Sequence, residues 1–236
     1  MQHTSPRKAL LVSATTLEIA PTLQAVFPGR ASDFGIGIPG TLFESERFDC
    51  IITGVGQMIS AVHLAPLLAS KRYSVAIQAG LAGSFTERFP KRAVVAVSEE
   101  SLADLGAESP QGFLELFEMG LLRHDASPFV NGRLTSISPR LRSLLKLPTA
   151  RSVTVNRVLS DERSIAWVRE RFNPEVVNME GAAFLYACGV HQVAAHSVRA
   201  VSDMVGPRDK DQWDIAGAVA ALNDVLTEVC HELQTL

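Results

Sequence analysis

The chain has no surplus of positive charge: 22 Lys and Arg stand against 25 Asp and Glu over 236 residues, a formal net charge of −3. A broad electrostatic surface for nucleic acid or an anionic membrane is therefore not expected, although a local basic pocket is still compatible with this balance. Cysteine is scarce as well. Cys50, Cys188 and Cys230 lie far apart, without C-x-x-C spacing and each in an apolar context. They read as buried free thiols of a protein in a reducing cytosol, so the expected location is cytoplasmic. The apolar run behind Arg7 and Lys8 stops before Glu18, too short for a secretory signal.

Several chemical signatures are missing too. No G-x-S-x-G elbow and no G-x-x-x-x-G-K-[ST] loop occurs, which removes support for an esterase or a P-loop enzyme. "GVGQMISA" (54–61) lacks the third glycine of a dinucleotide fingerprint, and no H-x-x-x-H spacing suggests a metal. Neither cofactor nor metal is expected. The stretch from Cys50 to Ser70 carries no formal charge over 21 residues, but it holds two glycines, Gln57, His63 and Pro66. A lipid-facing helix tolerates these poorly, so a buried strand, a glycine turn and a packed helix are expected instead.

At 47% hydrophobic and 20% charged, the composition is that of a globular protein able to bury a full core. Apolar or β-branched runs alternate with helical patterns. "KALLVSA" (8–14) reads as a first strand and "TLEIAPTLQAVF" as the helix after it. "TLFESE" and "FDCIITG" read as a hairpin pair feeding the helix "MISAVHLAPLLAS". The strand "SVAIQAG", a turn "LAGSF" and the strand "AVVAVSEE" follow. Then come the strand "RSVTVN", the helix "ERSIAWVRERF", an all-apolar helix over 181–190, the strand "VAAHSVRAVSD" and a terminal helix from about Trp213. Such alternation implies one α/β domain over 1–236, with a largely parallel or mixed sheet covered on both faces. The least regular part, roughly 101–135, has the character of a lid or binding loop.

In such folds ligands sit beyond the carboxyl ends of strands. Three of the five strand ends carry a carboxylate: Glu18, Glu180 and Asp203. Each has an ordinary explanation. Glu18 follows Thr15 by three, as in a capping box. Glu180 stands two residues after a good N-cap, Asn178, where a negative charge suits the helix dipole. Asp203 can be a turn residue. Glu180 leans functional nonetheless, because the helix behind it is apolar or small all round and a carboxylate entering with it must be paired or face a polar cavity. Arg199 reads as a buried ion-pair partner and His196 as a core histidine.

The set "ATTLE", "AGLAG", "TVN", "NMEGAA" and "RAVSD", in this order, resembles the nucleosidases of the purine nucleoside phosphorylase superfamily over almost the whole chain. Those include methylthioadenosine/S-adenosylhomocysteine nucleosidases and futalosine hydrolases. "DLGAESPQGFLELFEMGL" (104–121) and "VGPRDKDQWDI" (205–215) look like the futalosine hydrolase branch. The resemblance implies a three-layer sandwich with a central mixed, twisted sheet flanked by helices. It implies a small nucleoside as substrate, no nucleic-acid or membrane partner, and a homodimer or higher homo-oligomer.

It also implies roles. Glu18 would activate the attacking water and Asp203, beside Ser202, would donate to purine N7. Glu180 would bind the ribose hydroxyls, with Met179 under the sugar. Leu81, Ala82 and Gly83 would line the base and water site, and Thr154 and Val155 would lie against the purine. Arg208 or Lys210 would supply a cation for a 5′ carboxylate, and Phe113 or Phe117 its apolar walls. An acid at N7 must keep its proton near neutral pH, so burial should raise the pKa of Asp203 while Glu18 stays ionised. A carboxylate at the first-strand loop, with no basic residue in "IQAGLAG", favours water over phosphate as nucleophile. The alternatives left open are a methylthioadenosine/S-adenosylhomocysteine or aminofutalosine nucleosidase, and a non-catalytic nucleoside-binding protein.

Overall fold

The computed structural model describes residues 8–28, 37–109, 112–136, 145–207 and 209–234. The sheet is formed by β1 (Lys8–Ser13), β2 (Thr41–Glu44), β3 (Phe48–Ile52), β4 (Tyr73–Ser84), β5 (Val94–Leu102), β8 (Leu134–Thr135), β9 (Thr149–Thr154), β10 (Val176–Asn178) and β11 (Ala195–Met204). A separate hairpin, β6 (Gly106–Ser109) with β7 (Gly112–Glu115), lies within the segment expected to be irregular. The helices are α1 (Thr16–Val26), α2 (Gln57–Ser70), α3 (Glu162–Phe172), α4 (Gly181–Val190) and α5 (Ile215–Gln234).

The main sheet runs β10-β9-β5-β11-β4-β1-β3-β2, with β8 beside β5. It is mixed: β4 is parallel to β1 and β11, whereas β5 is antiparallel to β11. β10 pairs both with β9 and, antiparallel, with the end of β4, so β4, β11, β5, β9 and β10 close into a ring. The alternation within β1 shows why both faces need cover. Ala9 and Leu11 pack with Ile19 and Leu23 of α1 and Leu222 and Leu226 of α5, while Leu10 and Val12 pack with Leu64 of α2 and Phe184 of α4. Helices thus flank a central mixed sheet on both faces, as expected. Among the described residues, no helix is long and apolar enough to cross a membrane.

Two local readings change and one gains its bounds. "LAGSF" is not a turn, because β4 continues straight through Ser84. Its glycine answers a need for space: a Cβ on Gly83 would press on Asp203 and on Val205. The strand end expected ahead of Glu180 is the three-residue strand "VVN" (β10), to which β9 and β4 both offer hydrogen bonds. Finally, α4 is not buried on every side; Tyr186 and Val190, four residues apart, form an exposed edge.

Candidate active site

The carboxyl ends of β1, β4, β10 and β11 converge on a cavity of about 250 Å³. Glu18 reaches it from the first turn of α1. Its Oε2 accepts from the Thr15 amide at 3.0 Å, which is the capping arrangement the spacing suggested, and also from Ser13 Oγ at 3.1 Å and Thr15 Oγ1 at 3.0 Å. Its Oε1 turns away from the cap and accepts from the Leu81 amide of β4 at 3.0 Å. Capping and display in the cavity are therefore both true of this one carboxylate.

Glu180 is buried at the mouth of α4, and its Oε1 accepts from the Gly56 amide at 2.8 Å. Gly56 stands at φ +93, a conformation that favours glycine, so the "GVGQ" turn supplies a backbone donor to a carboxylate instead of a cradle for phosphates. Burial raises the pKa of Glu180, while the charge of Arg199 and the Gly56 bond hold it down.

Behind Glu180 lies a buried polar network. Asn178 Oδ1 caps α4 by accepting from the amides of Glu180 at 2.9 Å and Gly181 at 2.5 Å. Asn178 Nδ2 donates to the carboxylate of Glu100, at 3.1 and 3.2 Å, and to Ser152 Oγ at 2.9 Å. Thr154 Oγ1 donates to Glu100 at 2.9 Å and accepts from the Ala182 amide at 2.8 Å. Arg199, 1% exposed, donates through Nη2 to Gln78 Oε1 at 2.5 Å and Asn178 Oδ1 at 3.3 Å. The expected close ion pair is not what it makes among the described residues; its charge acts through space on Glu100 and Glu180. Desolvation wins at Glu100, whose pKa is pushed up to about 7 against the pull of Arg199 and the surrounding donors. Gly181 has no room for a side chain here, since a Cβ would run into Glu100 and Asn178.

Across the cavity, a register shift between β11 and β4 separates Val201 from Asp203 and re-aims the strand end. Ser202 Oγ donates to Asp203 Oδ1 at 2.6 Å. Burial raises the pKa of Asp203, opposed by that bond and by the charge of Lys91, which is the direction an acid needs.

The cavity thus gathers Glu18, Leu81, Ala82, Gly83, Val155, Met179, Glu180, Ser202 and Asp203. Thr154 does not line it, because its hydroxyl faces the Glu100 network. Phe113 packs on Trp167, with ring centroids 5.0 Å apart, and Phe117 stacks on His124, so neither is at the cavity wall. Lys210 sits on an exposed turn (Lys210–Gln212) outside the lining, and Arg208 lies outside the described residues. Sequence reasoning missed Asn178, Val177 and Trp213 as lining residues, along with Glu100 and Gly56 as supports. Only Asn178 carried a signal, as an N-cap. No described residue on the cavity wall is basic, and no cluster of described His, Cys, Asp and Glu could hold a metal ion. Chemically, the arrangement sets the carboxyl groups of Glu18 and Glu180 on one side of the cavity and, on the other, Asp203, whose burial favours its protonated form.

Comparison with known proteins agrees with this geometry. Residues 40–235 match the phosphorylase superfamily. The chain is 32% identical to futalosine hydrolase of Thermus thermophilus, covering 90% of this chain and 91% of that one. It is 28% identical to futalosine hydrolase of Streptomyces coelicolor over 96% of each. Among solved structures, S-adenosylhomocysteine nucleosidase from Streptococcus pyogenes, in complex with 5-methylthiotubericidin, superposes with a TM-score of 0.76 at 16% identity, covering 98% of each chain. A futalosine hydrolase mutant of Helicobacter pylori gives 0.75 at 17% identity, covering 96% of this chain and 99% of that one. These last two likenesses concern the fold. From its matched sequence, its mixed sheet and the carboxylates at its strand ends, this chain belongs to the phosphorylase superfamily and, within it, to the family of the futalosine hydrolases.

Proposed function

We propose that this protein hydrolyses the N-glycosidic bond of futalosine, releasing hypoxanthine and dehypoxanthine futalosine in menaquinone biosynthesis. The observation that carries this reading is the cavity wall: three carboxylates and no basic group among its described residues. Bond cleavage builds positive charge on the ribose and negative charge on the departing purine. Glu180 accepts hydrogen bonds from the ribose hydroxyls, with Met179 beneath the sugar, and its charge complements the cationic transition state. Asp203 passes its proton to N7 as the C1′–N9 electron pair leaves with the base. Glu18 takes a proton from water as the oxygen bonds to C1′. Each proton transfer of this kind contributes roughly 10²–10⁴-fold.

Water is the nucleophile in this proposal because phosphate dianion would meet carboxylates and no wall cation, and their repulsion grows as solvent is excluded. Leu81, Ala82, Gly83 and Val155 flank the base, while Arg208 remains the proposed partner for a 5′ carboxylate. We place the protein in the cytoplasm, where three buried free thiols persist. As a homo-oligomer, a second copy would cover Leu17 and Val55 at the cavity rim and Met58 and Val62 on α2, all exposed apolar side chains.

The test is base release from futalosine, aminofutalosine, methylthioadenosine and inosine, each with and without phosphate. Hypoxanthine from futalosine at a phosphate-independent rate is the expected result. Adenine from methylthioadenosine in its place would transfer the same chemistry to another substrate. Ribose 1-phosphate would refute the water mechanism, and binding of futalosine without base release would make the protein a nucleoside-binding one.

A further inference from the structure

Helix α1 is broken at the residue after Glu18: Ile19 stands at φ −129, ψ 16, outside the helical region. Pro21 lies just beyond it and lacks an N–H, which leaves the Leu17 carbonyl without its helical donor. Proline does not account for the next rung. In a regular helix the Thr22 amide would donate to the Glu18 carbonyl. Here the Thr22 amide donates to Asn223 Oδ1 at 3.0 Å, and Asn223 Nδ2 donates to the Glu18 carbonyl at 2.8 Å. The side-chain amide of a residue on α5 has been inserted into one rung of α1.

The insertion is fully satisfied. Thr22 Oγ1 donates to the same Oδ1 at 2.6 Å, and Nδ2 also reaches the Val219 carbonyl at 2.7 Å. The amide orientation follows from these partners, since the reverse would set an NH₂ against the Thr22 amide and an oxygen against two carbonyls. Asn223 is 3% exposed among the apolar side chains Leu222 and Leu226. A polar residue kept in such a place has bonds that an aliphatic residue cannot replace.

We propose that Asn223 is a positioning residue for Glu18. By splitting the Thr22–Glu18 rung it lets the chain swing at Ile19. The carboxylate can then keep the cap through Oε2, bonded to Ser13 and Thr15, and at the same time reach the Leu81 amide on β4 with Oε1. This assignment rests on the reading of Glu18 as the group that activates water. A helix closed at that rung would carry Glu18 away from Leu81 by a shift of order 1 Å, enough to cost about 100-fold in turnover.

Two variants test it. Asn223→Leu removes both halves of the bridge; Asn223→Asp keeps the size and the acceptor for Thr22 but loses the donor to the Glu18 carbonyl, and it decides alone if the leucine variant does not fold. Three quantities are measured: binding of hypoxanthine, kcat for futalosine per hypoxanthine-binding site, and amide exchange at Leu81. The expected result is full-stoichiometry hypoxanthine binding, kcat per site down about 100-fold, and faster exchange at Leu81 while neighbouring β4 amides keep their protection. A merely structural asparagine would reduce the number of binding sites but leave turnover per site and Leu81 protection at their original values, which overturns the assignment. Loss of Leu81 protection with turnover retained overturns it too. If the unaltered protein releases no base from futalosine, the hydrolase reading fails, and Leu81 exchange still judges whether Asn223 places Glu18.

Discussion

Gly80→Ala adds a single methyl group where Arg199 and Glu18 leave no space. Gly80 lies within β4, and a Cβ there would sit 2.5 Å from Arg199 Nη1 and 3.0 Å from Glu18 Oε1. Ordinary contact begins near 3.5 Å, so the guanidinium or the strand must give way by roughly 1 Å. Arg199 cannot retreat freely, because it is buried and its Nη2 is committed to Gln78 and Asn178. The strand therefore yields, carrying the adjacent Leu81 amide and its bond to the half-buried Glu18 out of place. Misplacing a catalytic group by about 1 Å costs on the order of 100-fold, equivalent to about 2.7 kcal/mol of transition-state stabilisation. Overpacking should cost a further ~1–3 kcal/mol of folding stability, lowering Tm by about 2–4 °C for each of those in a chain of this size. The assay is steady-state hypoxanthine release at saturating futalosine, run beside a thermal melt. An alanine variant with kcat within about threefold of the parent and an unchanged Tm would show that neither Arg199 nor Glu18 is confined as described.

The remaining predictions concern the three other carboxyl groups. Asp203→Asn should lower kcat by about 10²–10⁴-fold while hypoxanthine binding persists; retained kcat would remove the acid from N7. Glu180→Gln should raise KM and lower kcat/KM by roughly 10- to 100-fold, since charge-assisted bonds to ribose hydroxyls are worth about 1.5–3 kcal/mol; equal losses for the substrate and for hypoxanthine would contradict a role at the sugar. Glu100 binds its proton more tightly when folded, because its pKa is raised from 4.5 to about 7. Its contribution to stability is therefore greatest below 4.5 and declines as pH rises to about 7, so Tm should fall across that window. In Glu100→Gln the part of this decline owed to Glu100 should vanish, and superimposable pH–Tm curves for the two proteins would rule the group out.

Much of this molecule was legible in the chain because its signals are local. A short continuous apolar run marks β1 and period 3.6 marks α3, whose bounds match the sequence pattern "ERSIAWVRERF". A carboxylate three residues after Thr15 announced the cap, and Asn178 announced the start of α4. Those rules placed Glu18, Glu180 and Asp203 at strand ends before any contact was known. Tertiary structure decided what each carboxylate touches. The Gly56 amide that holds Glu180 is 124 residues away from it, the Leu81 amide that holds Glu18 is 63 residues away, and Asn223 reaches the Glu18 carbonyl across 205. No periodicity connects such pairs. Their meeting depends on which strands pair, on β10 closing against both β9 and β4, and on glycines at 80 and 181 leaving room where a methyl group would collide. Hydrophobic patterning determines which face of an element is buried, but a buried polar group must find a partner wherever the chain brings one, and that is a property of the packed fold.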